Sequence, residues 1–467
     1  MKRFIGLIMA VALVLVAPVS AFAEDVIPIA EADLSVAAAD DDAISVLIDG
    51  KYVEFDVHPT LINDRTMVPV RAIFEALGAT VDWIDETWTV VSEMGDTKVS
   101  LKINERYLNK NDEIIVLDVP AQLVGERTLV PVRAISEAYG CSVAWNEYTN
   151  TVVITSDLNK SSMMTVNDEA VSVGYFNHVL AQVENYVMQS FNTGAEYLKK
   201  SWASALGDTT FGQYIIESAV EQCVFTKSNV QAAKALGIEL DEKDMAAINE
   251  NIAFFEMNYG EYYDEYLASV YTTKEAMEEF ITDSIYSEKY YNYLIEQGEM
   301  SEADIKKYLD DNYIRAKHIL FSTFDAATGM PLSEEDAAAK KKLAEETLAK
   351  LKKNADFDKT MAELSEDPGS ESYPDGYLFT KGEMVEAFEK AAFALKEGSL
   401  SGIVESDYGY HIIKRVKNGE YTEQDIYMVK EYLVSDKVSA AMNANKANAK
   451  ITSDANMLAN AVPVGLE

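Results

Sequence analysis

The chain has 467 residues, with 78 Asp+Glu against 40 Lys+Arg and a formal net charge of −38. Hydrophobic residues at 48% and charged residues at 25% describe a globular chain, and the length suits about three domains of roughly 100–200 residues each. The charge excludes a general nucleic-acid binder, which needs a basic footprint, and disfavours docking on anionic lipid. Cys141 and Cys223 are too few for a disulfide scaffold or a structural zinc site. His58, His178, His318 and His411 bound any histidine-dependent chemistry.

Lys2 and Arg3, an apolar run from Phe4 to Ala17 and the Ala21-Phe22-Ala23 pattern predict a secretory signal peptide over 1–23. The run is shorter than the ~20 residues that span a bilayer, so the mature chain is expected to be extracytoplasmic with no transmembrane anchor. No P-loop, HExxH, GxSxG or EF-hand pattern occurs. Residues 24–42 carry seven acids and no base and read as a solvated linker.

From 43 to 156 the pattern is short alternating strands, such as Ile44-Ser45-Val46-Leu47-Ile48. Arg65-Thr66-Met67-Val68-Pro69-Val70-Arg71-Ala72-Ile73 recurs 62 positions later as Arg127-Thr128-Leu129-Val130-Pro131-Val132-Arg133-Ala134-Ile135. The repeat continues through Glu75/Glu137, Gly78/Gly140, Val81/Val143 and Trp83/Trp145, and such tandem units bury their faces against their own copy. This signature resembles the domain named after the N-terminal region of copper amine oxidases. The resemblance implies a stalk or envelope-binding unit with a cell-wall polymer as partner. It does not bring copper, because His58 is the segment's one histidine and stands alone.

Residues 166–313 change to helical spacing, with Ser301-Glu302-Ala303-Asp304 as an N-capped helix start. Nine Tyr and three Phe fall between Phe254 and Tyr293, either as helix packing or as a surface that holds extended peptide. By its position the segment resembles the helical chaperone region of extracytoplasmic foldases of the SurA and PrsA kind. That likeness implies that the helical 418–467 segment folds back onto it.

Residues 314–417 carry the chemistry. Arg315-Ala316-Lys317-His318-Ile319-Leu320-Phe321 reads as a strand bearing a histidine. Leu364-Ser365-Glu366-Asp367, the Lys381–Leu395 stretch and Tyr408-Gly409-Tyr410-His411-Ile412-Ile413-Lys414 follow in order. This string is similar to parvulin-type peptidyl-prolyl isomerases. The resemblance implies a βα3βαβ2 domain whose first and last strands face His318 and His411 toward each other, with Asp367 beside them. Ser406 takes a position often Ser or Thr, and Tyr408 an aromatic or Ser one. Met384 and Phe388 are implied to grip the proline ring, with Phe379 and Phe393 lining the same pocket. The family's pocket leucine aligns with Gly376, so Leu378 is expected to replace it or to leave the pocket open. The acidic stretch Asp325–Asp336 stands where phosphate-directed parvulins are basic.

The architecture expected is therefore multidomain α+β: a β-rich tandem-repeat domain, an α-helical chaperone domain and an inserted parvulin domain. The function expected is cofactor-free isomerisation of X-Pro bonds in unfolded exported proteins. Two rivals are a catalytically inactive peptide-binding chaperone and an envelope adhesin led by the repeat. Charge is concentrated at −18 on 166–313 against −4 on 314–417, which suits an acidic cradle for basic or neutral clients.

Overall fold

The computed structural model describes residues 43–325, 328–370, 372–461 and 463. The signal-peptide and linker expectations for 1–42 lie outside the described residues. The chain divides into two compact units: one runs to Tyr293 and resumes at Ser439, and the other is Leu294–Val438.

In the first unit the repeat builds three sheets. The two halves meet where strand Arg65–Pro69 pairs antiparallel with its own copy, Arg127–Pro131, through Leu129↔Pro69, Val130↔Val68 and Pro131↔Met67. Each strand ends at a proline and passes into a seven-residue helix, Val70–Ala76 or Val132–Ala138. Proline suits that junction because the first helical turn needs no N–H from it. Val68, Val130, Ile73 and Ile135 are fully buried, so the copies close one shared core. Strand Ser45–Ile48 pairs in parallel with Thr151–Thr155, joining the domain's two ends. A five-stranded antiparallel meander runs from Thr80 to Val116.

The remainder of this unit is a hairpin, Ser162–Val166 with Glu169–Ser172, under helices Val173–Ser190, Phe211–Ala235, Glu242–Tyr259 and Lys274–Gln297. The chain's end returns here: Ile451–Ser453 adds a third strand beside Ser162–Val166. Asn460 and Asn456 bond Tyr52 and the Gly50 carbonyl. The tyrosine-rich stretch is mostly packing. Tyr263, Phe280 and Tyr290 are buried and Tyr259 stacks on Tyr266 at 4.0 Å, while Phe254, Met257 and Tyr262 remain exposed. Both cysteines are free and buried; burial pushes Cys141 up to about 11 and Cys223 to about 12.

His178, in helix Val173–Ser190, is buried with its ring 4.8 Å from Phe280, and its Nδ1 has no partner among the described residues. Burial lowers it to about 4 from 6.5. The native state therefore binds fewer protons than the unfolded chain between those values, and stability is lost as pH falls through that window. His178→Leu removes the liability. At pH 5 it is expected to stabilise this unit by about 2 kcal/mol relative to the wild-type chain, read by denaturant unfolding.

In the second unit, strand β1 (Ile314–Ser322) is followed by helices α1 (Glu334–Leu351) and α2 (Phe357–Leu364). Strand β2 (Tyr377–Phe379), helix α3 (Glu386–Ala394) and the hairpin β3 (Leu400–Ser406) and β4 (Gly409–Val416) complete it. The sheet order is β2-β1-β4-β3, antiparallel throughout. Among the described residues two helices separate β1 from β2, where the resemblance implied three. After Leu364 the chain runs through turns at Asp367-Pro368-Gly369, where proline and glycine break helical continuity.

Strand alternation gives the sheet two apolar faces. Ile319, Phe321 and Ile412 pack under α1 and α2 with Ala344, Leu348, Phe357 and Met361. Ile314, Ala316 and Ile413 pack with Phe388 and Ala392 of α3. The second face carries the histidines.

Candidate active site

His318 stands opposite Ile413 in the β1–β4 register, and His411 opposite Leu320, so the two histidines are diagonal neighbours on one face. Their rings lie 5.3 Å apart at an interplanar angle of 26°, and their Nδ1 atoms are 3.1 Å apart. His318 Nε2 is 3.3 Å from Asp367 Oδ2, and Ser406 Oγ is 2.7 Å from His411 Nε2. Tyr377 donates its hydroxyl to the same Asp367 oxygen at 2.7 Å. The four polar residues expected from the sequence thus form one line, Ser406–His411–His318–Asp367.

The line has a single consistent proton arrangement with neutral rings. Carboxylate oxygens only accept, so His318 donates from Nε2 and accepts at Nδ1; His411 then donates from Nδ1 and accepts at Nε2, and the Ser406 hydroxyl donates to it. Burial, reinforced by the neighbouring His318, lowers His411 to about 4 despite Asp367. Burial alone would raise Asp367, but hydrogen bonds from His318 and Tyr377 outweigh it and hold the carboxyl below its usual range.

Apolar rings cover the line. Phe388 sits edge-on to His318 at 5.1 Å and to His411 at 5.4 Å. Phe379 contacts Phe388 and Phe393, both at 5.9 Å, and Met384 packs on the same cluster, half-buried. Phe379 is only 1% exposed, so it supports Phe388 from behind. Tyr408 is exposed in the β3–β4 turn, its N–H bonded to Ser406 Oγ.

Leu378 is not part of this group. Successive residues of a strand point to opposite faces, so Tyr377 and Phe379 face the histidines, while Leu378 packs with Ile305, Leu309 and Tyr313. Gly376 is not a vacated pocket position either. Its φ is +94°, and a Cβ there would lie 2.7 Å from the Ala316 carbonyl oxygen. Gly376→Ala is expected to destabilise this unit by about 1–3 kcal/mol, read as a lowered thermal midpoint.

Three contributors escape a reading of the sequence. Tyr377 anchors Asp367, and its hydroxyl reaches that carboxylate over Gly369, where a Cβ would overlap the phenolic oxygen. Ser365 accepts the Leu320 N–H at 3.2 Å and the Glu366 N–H donates to the Leu320 carbonyl, pinning the Asp367 turn on β1. The Tyr-Leu-Phe run and the Leu-Ser-Glu-Asp run carried those signals, but only the fold joins them.

A PPIC-type PPIase domain model matches residues 300–418, and a copper amine oxidase N-terminal domain model matches 47–154. Among the described residues no group of three or more His, Cys, Asp or Glu side chains is placed to hold a metal, so no step is assigned to copper. A foldase protein PrsA of Clostridium botulinum (strain Hall) is 28% identical over 294 residues, 58% of this chain and 79% of that protein. A PrsA of Geobacillus kaustophilus is 40% identical over 124 residues, 26% of this chain and 38% of the relative. The crystal structure of PrsA from Streptococcus pneumoniae aligns at 21% identity and a TM-score of 0.32, covering 58% of this chain and 96% of that one. Residues 300–418 thus belong to the PPIC family, and the protein is a parvulin-type peptidyl-prolyl cis-trans isomerase carried behind a copper amine oxidase N-terminal domain.

Proposed function

We propose that the chain is an extracytoplasmic foldase that rotates X-Pro bonds in exported, incompletely folded proteins. The observation that carries this reading is the Ser406–His411–His318–Asp367 line under Phe388 and Met384. The basic start and apolar run of residues 2–17 support export, and no helix of the described residues is long and apolar enough to cross a membrane.

The reaction needs no covalent intermediate. Amide resonance sets a barrier of ~18–20 kcal/mol, and resonance is lost when the bond twists. The twisted amide is less charge-separated than either planar form. A dry site of low polarity therefore favours it over the ground states. Met384 and Phe388 hold the pyrrolidine ring, and the neutral histidine pair presents a fixed dipole pattern beside the rotating carbonyl without placing a full charge there. Tyr408 closes the rim. Asp367, locked by Tyr377, fixes the proton order along the line.

A protease-coupled assay on short X-Pro peptides tests this: the wild-type chain accelerates isomerisation, and the absence of acceleration would overturn the catalytic reading. Exposed Phe254, Met257 and Tyr262 in the acidic helical region favour a second role, holding an extended client. Aggregation suppression that drops when these three are changed to Ser, with the peptide assay unaltered, distinguishes that role from catalysis. The repeat domain is proposed to attach the chain to an envelope polymer.

A further inference from the structure

The repeat domain carries two clefts, of about 670 and 840 Å³. They are copies of one another. Each of the 15 residues lining the first has a counterpart 62 positions away lining the second. Each cleft is also built from both halves of the repeat. The first takes Arg71, Glu75 and Trp83 from one half and Arg127 from the other; the second takes Arg133, Glu137 and Trp145 with Arg65. The crossing is held by reciprocal ion pairs, Arg127 with Asp56 at 2.5 Å and Arg65 with Asp118 at 2.7 Å.

Packing accounts for the shared core but not for the shared lining. Trp83 and Trp145 are 37% and 40% exposed, and Arg71, Arg133, Glu75 and Glu137 are exposed too. Trp88, more exposed than either, has Asn150 as its counterpart and lines neither cleft. An exposed indole that adds nothing to the core, repeated in a concave site beside an arginine and a carboxylate, has the composition of a binding site.

From these features we infer that the two clefts bind a neutral polysaccharide, one segment of the chain in each. The indole offers a flat apolar face, and Trp83 Nε1 is tied to Asp85 at 2.5 Å, which fixes the ring. A pyranose ring has a C–H face to lay on it and hydroxyls that donate and accept at once, matching guanidinium donors beside carboxylate acceptors. A polyphosphate meets the wrong charge: five carboxylates face two guanidiniums in the first cleft, and three face two in the second. Two like clefts on one domain suit a ligand with a repeating unit, whose second contact is made at high effective concentration.

The inference rests on the envelope-polymer reading above and narrows it to a site and a ligand class. Titration calorimetry of the full chain with chitohexaose and cellohexaose, two uncharged hexasaccharides, tests it, with polyphosphate and a polyproline decapeptide as comparisons. One of the two sugars is expected to bind at two sites per chain. Trp83→Ala or Trp145→Ala should leave one site, the double variant should lose about tenfold or more in affinity, and Trp→Phe at both should restore it. X-Pro peptide isomerisation by the same samples should be unchanged, which separates loss of the clefts from loss of the chain. No binding of either sugar at millimolar concentration, unaltered binding by the double variant, or tighter binding of the polyproline peptide or of polyphosphate overturns the inference. If purified cell wall is still retained by the double variant, the clefts lose their assignment while the envelope reading stands.

Discussion

His318→Ala is expected to lower kcat/KM on a short X-Pro peptide by roughly 10²-fold or more, the scale seen when a preorganised polar group is removed from a reacting centre. The change deletes the middle of the line. His411 Nδ1–H loses its acceptor at 3.1 Å and Asp367 loses a donor at 3.3 Å, so both retained groups are left under-satisfied beside Phe388. Asp367→Asn should be milder but informative. An amide can donate, which permits the histidine protons to reverse, so the loss should appear in kcat more than in KM. Phe388→Ala should instead raise KM, because it removes the ring contact. The pH profile gives an independent check. Activity should fall as His411 takes a proton near its lowered value of about 4. Protonation makes both of its ring nitrogens donors, which breaks acceptance from Ser406. A profile with no fall near that value would contradict the acceptor role assigned to His411 Nε2.

Lys227→Met is expected to cost the first unit about 3–5 kcal/mol, measured by denaturant unfolding. Lys227 is 1% exposed in the middle of helix Phe211–Ala235. Its Nζ lies 2.5 Å from Glu279, 2.7 Å from Asp283 and 4.3 Å from the centre of the Tyr175 ring. Burial alone would lower its pKa, but the two carboxylates prevail and raise it, so the ammonium stays charged inside the bundle. Removing the cation leaves the Asp283 carboxylate buried with Tyr175 as its remaining donor, at 3.2 Å. The penalty belongs to the orphaned charge. Lys227→Met combined with Asp283→Leu should therefore recover most of the loss, whereas two independent contacts would add. A double variant no more stable than Lys227→Met would show that the pair itself supplies the stability.

The residues that could be placed from the sequence were those whose signal is local. His318 and His411 stand on strongly alternating strands, and Met384 and Phe388 lie in one continuous block, so their neighbourhood followed from the order of the blocks. What escaped depends on parity and on distance along the chain. Leu378 differs from Tyr377 and Phe379 only by one step of the strand, which turns it to the opposite face. Tyr377 reaches Asp367 only because Gly369 clears the way, a steric fact with no trace in composition. The aromatic run from Phe254 to Tyr293 shows the same dependence: its tyrosines divide between buried and exposed according to the helices beside them. The exchange of Arg65 and Arg127 between halves was likewise hidden, since a repeat displays equivalence but not which copy its side chains contact.

The closing strand also sets an order of events. Lys450 bonds Asn167 across 283 positions, and Ile451–Ser453 completes a sheet that the hairpin at 162–172 only begins. A chain emerging from its N-terminus presents all of Leu294–Val438 before Ser439 onward is available. Short-range contacts form before long loops close, so the isomerase can mature while the unit it interrupts is still waiting for its last strand. Until then Ser162–Val166 has an open edge, the type of surface that recruits stray strands. The isomerase unit is therefore expected to be complete before the sheet that Ile451–Ser453 closes.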